Sequence, residues 1–476
     1  MIYFILAILL LAVGYPLLSR IAARTFGEDD SIVTPSIRLK DGVDFVELPK
    51  WRIFLIQFIN IAGLGPIYGA ISGALFGPVA FLWIVLGGLL VGGAHDYFSA
   101  MISLRHNGSS FTEIAGRYLG KSSLWLIRFF TIMLLIFLTT VFVKGPSTIL
   151  STRFSEVPIL SQSAFWLMII FGYVLAAAIF PIHKVMGRVT PIFGVAFILM
   201  PVALLFILLF KGEAQNLPPF SLQNFHYNPK TTIWPMLFVT IACGAVSGFH
   251  ATQSPLMARC INKERDGRTI FYGAMIAESL VALIWAAAAM TFMGSIEGLR
   301  DIMQANQGDP AVIVLLIGEN WLGSMGVLLA IISVVVAPIT SADSALRATR
   351  LSVADSLTFS QTSVRNRLIL TIPLSAIVII LTNVDFAIIW RYFAFSNQLL
   401  ATLTLWTITA YFKQVKGKIL WWTLLGALFM TNVVISYILY APEGFRLPWN
   451  ISVSAGIIGS FVVLILFLRK KSSATA

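Results

Sequence analysis

Asn60-Ile61-Ala62-Gly63-Leu64-Gly65-Pro66 lies within an apolar run long enough to cross a bilayer, yet it holds the residues least able to continue a helix there. Pro66 has no N–H, so a helix through it leaves the Ala62 carbonyl without its donor, and Gly63 and Gly65 leave helical geometry cheaply. Hydrocarbon offers no replacement partner, and an unpaired peptide group there costs several kcal/mol. Such a break survives where protein covers it or where it lines a cavity. The segment therefore predicts a discontinuous membrane helix with a carbonyl free to meet a cation.

The whole chain has a matching composition: 476 residues, 58% hydrophobic and 11% charged, with a mean hydropathy of +0.87. This predicts an all-α polytopic membrane protein. Thirteen spans can be drawn, near 2–19, 53–74, 78–104, 122–143, 163–181, 190–210, 232–258, 270–293, 320–341, 367–382, 386–411, 419–439 and 449–468. The net charge of +12 does not point to nucleic acid, because the basic residues fall in short loops. With the amino terminus outside and the carboxyl terminus inside, all of the 33 Lys and Arg lie on inner segments except Lys144, Arg153, Lys211, Lys230, Arg300, Arg391 and Arg446, as the positive-inside bias requires. The first span reads as an anchor, since no basic residue precedes it and no convincing cleavage site follows.

A second interruption, Cys243-Gly244-Ala245-Val246-Ser247-Gly248-Phe249-His250-Ala251-Thr252-Gln253-Ser254-Pro255, falls in the seventh span, five spans after the first. An odd offset turns the two units upside down relative to each other, so spans 2–6 and 7–11 are expected to be five-helix inverted repeats. The expected organisation is an anchor and inner loop over 1–52, repeats over 53–231 and 232–418, and two final helices with a basic tail over 419–476. Small residues that merely allow close helix packing are the plainer account of either break alone. Cys243 and Cys260, if on one continuous helix, are about 25 Å apart, beyond disulfide reach.

Polar residues inside spans mark the remaining candidates, since a charge at the bilayer centre costs about 2.5–3.5 kcal/mol on the lenient scale. His95, Asp96 and Glu278 stand out as proton-coupling candidates, with Asp343 near the inner end of the ninth span. His250 sits on the second break, where it can meet a carboxylate or titrate. The amino termini of the half-helices, at 63–66 and 248–253, direct N–H groups toward a carboxylate-bearing substrate. Gly63, Gly65, Ser247, Gly248, Phe249, His250 and Gln253 are the expected substrate contacts. Thr340 and Ser341 suit a hard cation, although such hydroxyls commonly bond back within their own helix. Arg391, Asn397 and Gln398 form a polar cluster in the eleventh span, read either as an outer gate or as an arginine snorkelling to the interface. His106, His183 and His226 fall in loops.

No enzyme is expected. There is no His-Glu-x-x-His and no cysteine–histidine metal pattern. Gly116 to Ser122 mimics a phosphate loop but has three residues between its glycines where four are needed. No cofactor is expected, and no metal beyond Na⁺ as a coupling ion.

The stretch Asn60 to Gly65 resembles the unwound first helix of sodium-coupled transporters with the leucine-transporter fold. Ala337, Thr340 and Ser341 match the sodium-ligand spacing of that fold's eighth helix. The resemblance implies a cation held by the carbonyls of Ile59, Ala62 and Ala337 and the hydroxyls of Thr340 and Ser341. More specifically, the chain resembles the carbon starvation protein A family of bacterial inner-membrane transporters. The resemblance is carried by Ala62 to Pro66, His95-Asp96-Tyr97, Arg105 with Asn107-Gly108-Ser109, Ser247 to His250, Thr340 to Asp343, Trp390 to Phe393 and Asn397-Gln398. It implies H⁺- or Na⁺-coupled uptake of peptides, amino acids or pyruvate during nutrient limitation, with the lipid bilayer as the other partner and no nucleic acid. A channel or a non-transporting nutrient sensor is the alternative, distinguished by whether substrate accumulates against its gradient.

Overall fold

A computed structural model describes residues 1–42, 45–179, 182–361 and 363–470, without the side chains at 122, 182–193, 196 and 355. Among the described residues every regular element is helical. The principal helices are α1 (Ile2–Phe26), α2 (Lys50–Ala62), α3 (Gly65–Ala74), α4 (Val79–Arg105), α5 (Phe111–Leu119), α6 (Lys121–Arg153), α7 (Ser163–Ile179) and α8 (Ile182–Phe210). They continue with α9 (His250–Ala258), α10 (Glu264–Thr291), α11 (Pro310–Ala354), α12 (Val364–Leu381), α13 (Phe386–Val415), α14 (Trp421–Tyr440) and α15 (Trp449–Arg469).

Eight described helices are long and apolar enough to cross a membrane, or nine when α2 and α3, bent by 46°, count as one span. The chain is a multi-pass membrane protein. The other four of the thirteen expected spans correspond to α7 and α8, whose described parts include the apolar stretches Ser163–Ile179 and Phe197–Phe210, to the region from Ile233 to Ala258, and to α13. The short inner loop expected at 183–188 is part of α8. The expected end of the fifth span at 180–181 and the tail beyond Lys470 lie outside the described residues.

Burial orders these helices as hydrophobicity alone cannot. The apolar windows of α1 and α15 are only 22% and 17% buried, so their leucines and isoleucines face lipid, whereas that of α10 is 83% buried. α10 is the central stave, packed on α3, α2 and α1. α11 packs on α6, and α14 lies between α13 and α15. The 45 residues of α11 would span about 67 Å if straight, twice the hydrocarbon thickness. The chain instead reverses at Gly323 (φ 62°, ψ −148°), which brings the Gly318 and Gly326 backbones into contact. The expected ninth span thus begins beyond this turn and does not end at Asp343: the helix runs on to Ser356.

Both interruptions are real breaks. α2 stops at Ala62, Gly63 leaves the helical region (φ 11°, ψ −140°), and α3 starts at Gly65 with Pro66 in its first turn, where a missing N–H costs nothing. In the seventh span, helix lasts to Thr240 and resumes at His250. Cys243 and Cys260 are therefore not on one continuous helix, contrary to the expectation. The middle of the second break crosses at Gly244 in a left-handed conformation (φ 90°).

One end of the bundle is tied by a single buried carboxylate. Glu264 is fully buried, pairs with Arg105 through both oxygens, and accepts the Asp29 N–H at 2.8 Å. Nearby, Tyr97 donates to Glu28 at 2.6 Å. At the other end of α13, Arg391 pairs with Glu443 at 3.3 Å, and Tyr437 donates to the same carboxylate.

A Cβ at Gly248 would lie 2.4 Å from the Asn397 carbonyl and 2.5 Å from the Ala401 nitrogen, both backbone. Gly248→Ala should destabilise the protein by about 2 kcal/mol or more, read as a lower thermal midpoint in detergent; an unchanged midpoint would contradict this packing. His226, in the loop before Ile233, packs on Phe76 and accepts the Asn228 N–H at Nδ1 (3.0 Å), which requires a neutral ring. Burial, aided by Arg300, pushes it from 6.5 down to about 4. The unfolded chain takes up this proton below about pH 6.5 while the folded one resists until about 4, so stability present at neutral pH should fall across that window. His226→Gln should flatten the decline in thermal midpoint, and an equally steep decline would refute the assignment.

Candidate functional site

The two breaks meet. A Cβ on Gly65 would overlap Cys243 Cβ and Sγ at 2.3 Å, and one on Gly244 would come within 3.9 Å of Pro66. Any side chain at Gly65 would push the breaks apart. Gly63 faces the Phe142 ring and, 3.6 Å from its Cβ position, the Ser341 hydroxyl. The first break thus touches both the second break and α11.

Asn397 of α13 holds the second break in shape. Its Oδ1 accepts the Phe249 N–H at 2.8 Å and the Ser247 hydroxyl at 3.1 Å, its carbonyl accepts the Gly248 N–H at 3.2 Å, and its Nδ2 points at Cys243 Sγ at 3.6 Å. Gln398 donates to the Phe238 carbonyl at 2.9 Å on the near side of the same break. These two residues brace the break, while Arg391, the third of the polar cluster, pairs with Glu443. The bracing corrects a further expectation. The amides of Gly248, Phe249, His250, Ala251 and Thr252 are all engaged, so the second break does not offer them to a substrate.

Four residues chosen one by one from the sequence form a single buried chain. His95 and Asp96 project from α4, His250 begins α9, and Glu278 comes from α10. His95 Nδ1 lies 2.7 Å from Asp96 Oδ1, His250 Nδ1 lies 2.8 Å from Asp96 Oδ2, and His250 Nε2 lies 3.3 Å from Glu278 Oε2, with every side chain fully buried. As a carboxylate, Asp96 only accepts, so both imidazoles carry hydrogen at Nδ1. That leaves Nε2 of His250 facing Glu278.

The cation candidates are arranged differently. Thr340 donates to the Ala337 carbonyl at 2.7 Å and Ser341 to the same oxygen at 3.4 Å. The back-bonding foreseen as the plainer account is present, while the oxygen lone pairs stay available. The contact of Gly63 with the Ser341 hydroxyl brings the end of α2 beside these two residues. Asp343 accepts from Ser344 at 3.2 Å and interacts with Tyr173 and Arg347, not with the histidine chain.

Gln253 donates to Thr252 at 3.1 Å and leaves its Oε1 buried without a hydrogen-bond partner; Gln57 of α2 donates to Ser254 at 3.3 Å. Sequence reading missed Tyr68, fully buried two residues beyond Pro66. Its ring packs on Phe386 and Trp390, and its hydroxyl has no hydrogen-bond partner. A tyrosine in an apolar helix carries no signal of its own, and only its distance from every acceptor marks it.

The family model for carbon starvation protein CstA matches residues 1–151 and 146–315. A Haemophilus influenzae uncharacterized membrane protein is 36% identical over 352 residues, covering 64% of this chain and 95% of that protein. The Campylobacter jejuni peptide transporter CstA is 29% identical over 338 residues, 58% of this chain and 48% of that one. The Escherichia coli pyruvate/proton symporter BtsT is 27% identical over 327 residues, 56% and 46%. The chain thus spans about half the length of these two transporters. Among solved structures, Mhp1, a nucleobase-cation-symport-1 family transporter in a closed conformation with bromovinylhydantoin bound, aligns with a TM-score of 0.51 at 13% identity over 88% of this chain and 92% of its own. That likeness concerns the fold alone. By the extent of the family match, the chain belongs to the carbon starvation protein CstA family.

Proposed function

We propose that this protein is an ion-coupled secondary transporter of the bacterial inner membrane, taking up short peptides or small carboxylates such as pyruvate by alternating access. The observation that carries this reading is the meeting of two broken helices, Gly65 against Cys243, beside a fully buried chain of two carboxylates and two imidazoles. Irregular backbone at membrane depth is tolerated only where protein covers it or it lines a path, and buried ionisable groups there mark ion or substrate routes. The names of the peptide and pyruvate transporter relatives support the same class.

In this reading the substrate carboxylate sits at the first break, near Gly63 and Gly65, with Tyr68 and Gln253 as hydrogen-bonding neighbours. Ser247, Gly248 and Phe249 form the opposing wall, and His250 links that wall to the coupling chain. Spans 2–6 and 7–11 act as inverted repeats within thirteen spans, with the amino terminus outside. The coupling ion is H⁺ on the His95–Asp96–His250–Glu278 chain or Na⁺ between α2 and α11. The histidine chain favours H⁺, since it already holds two carboxylates that need a cation between them.

Purified protein in liposomes should accumulate labelled pyruvate or a short peptide above equilibrium when a proton gradient is imposed. Equilibration without accumulation would indicate a channel, and binding without flux a sensor. Thr340→Ala with Ser341→Ala should leave proton-driven uptake intact; loss of uptake only under a sodium gradient would transfer the coupling to Na⁺. Asp96→Asn removes charge-assisted hydrogen bonds worth about 1.5–3 kcal/mol each, so proton-driven uptake should fall at least about tenfold. Unchanged uptake would exclude Asp96 from the route.

A further inference from the structure

The contact between His250 and Glu278 brings two ligand-type atoms together at the buried centre of the bundle. With Nδ1 hydrogen committed to Asp96, Nε2 of His250 faces Glu278 Oε2 at 3.3 Å, and Nε2 has no hydrogen-bond partner although it is fully buried. A proton on Nε2 makes this contact an imidazolium–carboxylate pair; with that proton lost, the nitrogen and the oxygen present two ligand atoms to a metal ion. A third ligand-type atom converges on the same place: Cys243 Sγ, a ring nitrogen of His250 and a carboxylate oxygen of Glu278 all lie within 4.8 Å of one another.

We propose that Cys243, His250 and Glu278 form a binding site for a divalent ion of the zinc class. One sulfur, one imidazole nitrogen and one carboxylate oxygen are the ligand types such ions take, and a tetrahedral ion with bonds of about 2.0–2.2 Å holds its nitrogen and oxygen ligands about 3.4 Å apart. The observed 3.3 Å matches that spacing before any ion binds. The hydrogen bond from His250 Nδ1 to Asp96 is the carboxylate–histidine–metal arrangement that fixes the tautomer and raises ligand basicity. His95 on the far oxygen of Asp96 holds that carboxylate in turn. Binding releases the Cys243 thiol proton, so the bound dication faces one thiolate and one carboxylate and the three-ligand shell is neutral. The ligands come from the second break and from α10, so a bound ion pins the break to the central stave.

This inference stands apart from the transport reading, because binding can be measured without flux. The probe is Co²⁺, dialysed into detergent-purified protein and followed by its thiolate-to-cobalt charge-transfer band in the near ultraviolet. Wild-type protein and Cys260→Ala should each take up about one cobalt per chain and show the band, which zinc should abolish by displacement. Cys243→Ala should lose the band, and Asp96→Asn should keep it while weakening binding about 10–100-fold. Absence of the band in wild-type protein, or its persistence in Cys243→Ala, would overturn the proposal whether or not transport is found.

Discussion

The desolvation of charge at the centre of the bundle is the constraint from which the rest of this structure follows. Taking a single ion out of water costs several kcal/mol even after relaxation, and Asp96 and Glu278 are both fully buried. His250 stands between them and offsets part of that cost, and it is placed there because the seventh span breaks just before it. A continuous helix from Thr232 to Ala258 would engage the same backbone but would fix the imidazole on a helical lattice. The break frees that choice at the cost of a stretch of irregular backbone.

That cost is met locally. Asn397 supplies a side-chain oxygen and a main-chain carbonyl to Ser247, Gly248 and Phe249 and a side-chain amide to Cys243, in place of the helical ladder. The first break needs less help because Pro66 has no N–H to satisfy. The two breaks then pack with no side chain between them at Gly65, so a change in either is felt by the other. Cores packed this tightly shift between discrete arrangements instead of deforming smoothly, which suits a centre that opens alternately to two sides.

Residues whose chemistry is local were legible in the chain. Pro66 and its glycines announce a helix break wherever they stand, and His95, Asp96, His250 and Glu278 are conspicuous because apolar spans rarely carry such groups. What could not be read was pairing. Nothing in the spacing brings Asp96 to His250, 154 residues away, or makes Asn397 the brace of Ser247, 150 residues away. The reversal at Gly323 was hidden because a glycine in an apolar helix reads equally as packing, and only the contact between Gly318 and Gly326 reveals it. The engaged amides of 248–252 were misjudged for the same reason: a helix start exposes N–H groups unless a distant residue takes them.

The central claim is that the His95–Asp96–His250–Glu278 chain carries the ion that drives transport. The most direct measurement is substrate-driven proton movement in liposomes loaded with a pH-sensitive dye, with no gradient imposed, comparing wild-type protein with His250→Gln. The account predicts that adding substrate acidifies the lumen for wild-type protein and that the variant moves little or no proton while remaining folded. Equal acidification by both would place the coupling ion elsewhere and contradict the account.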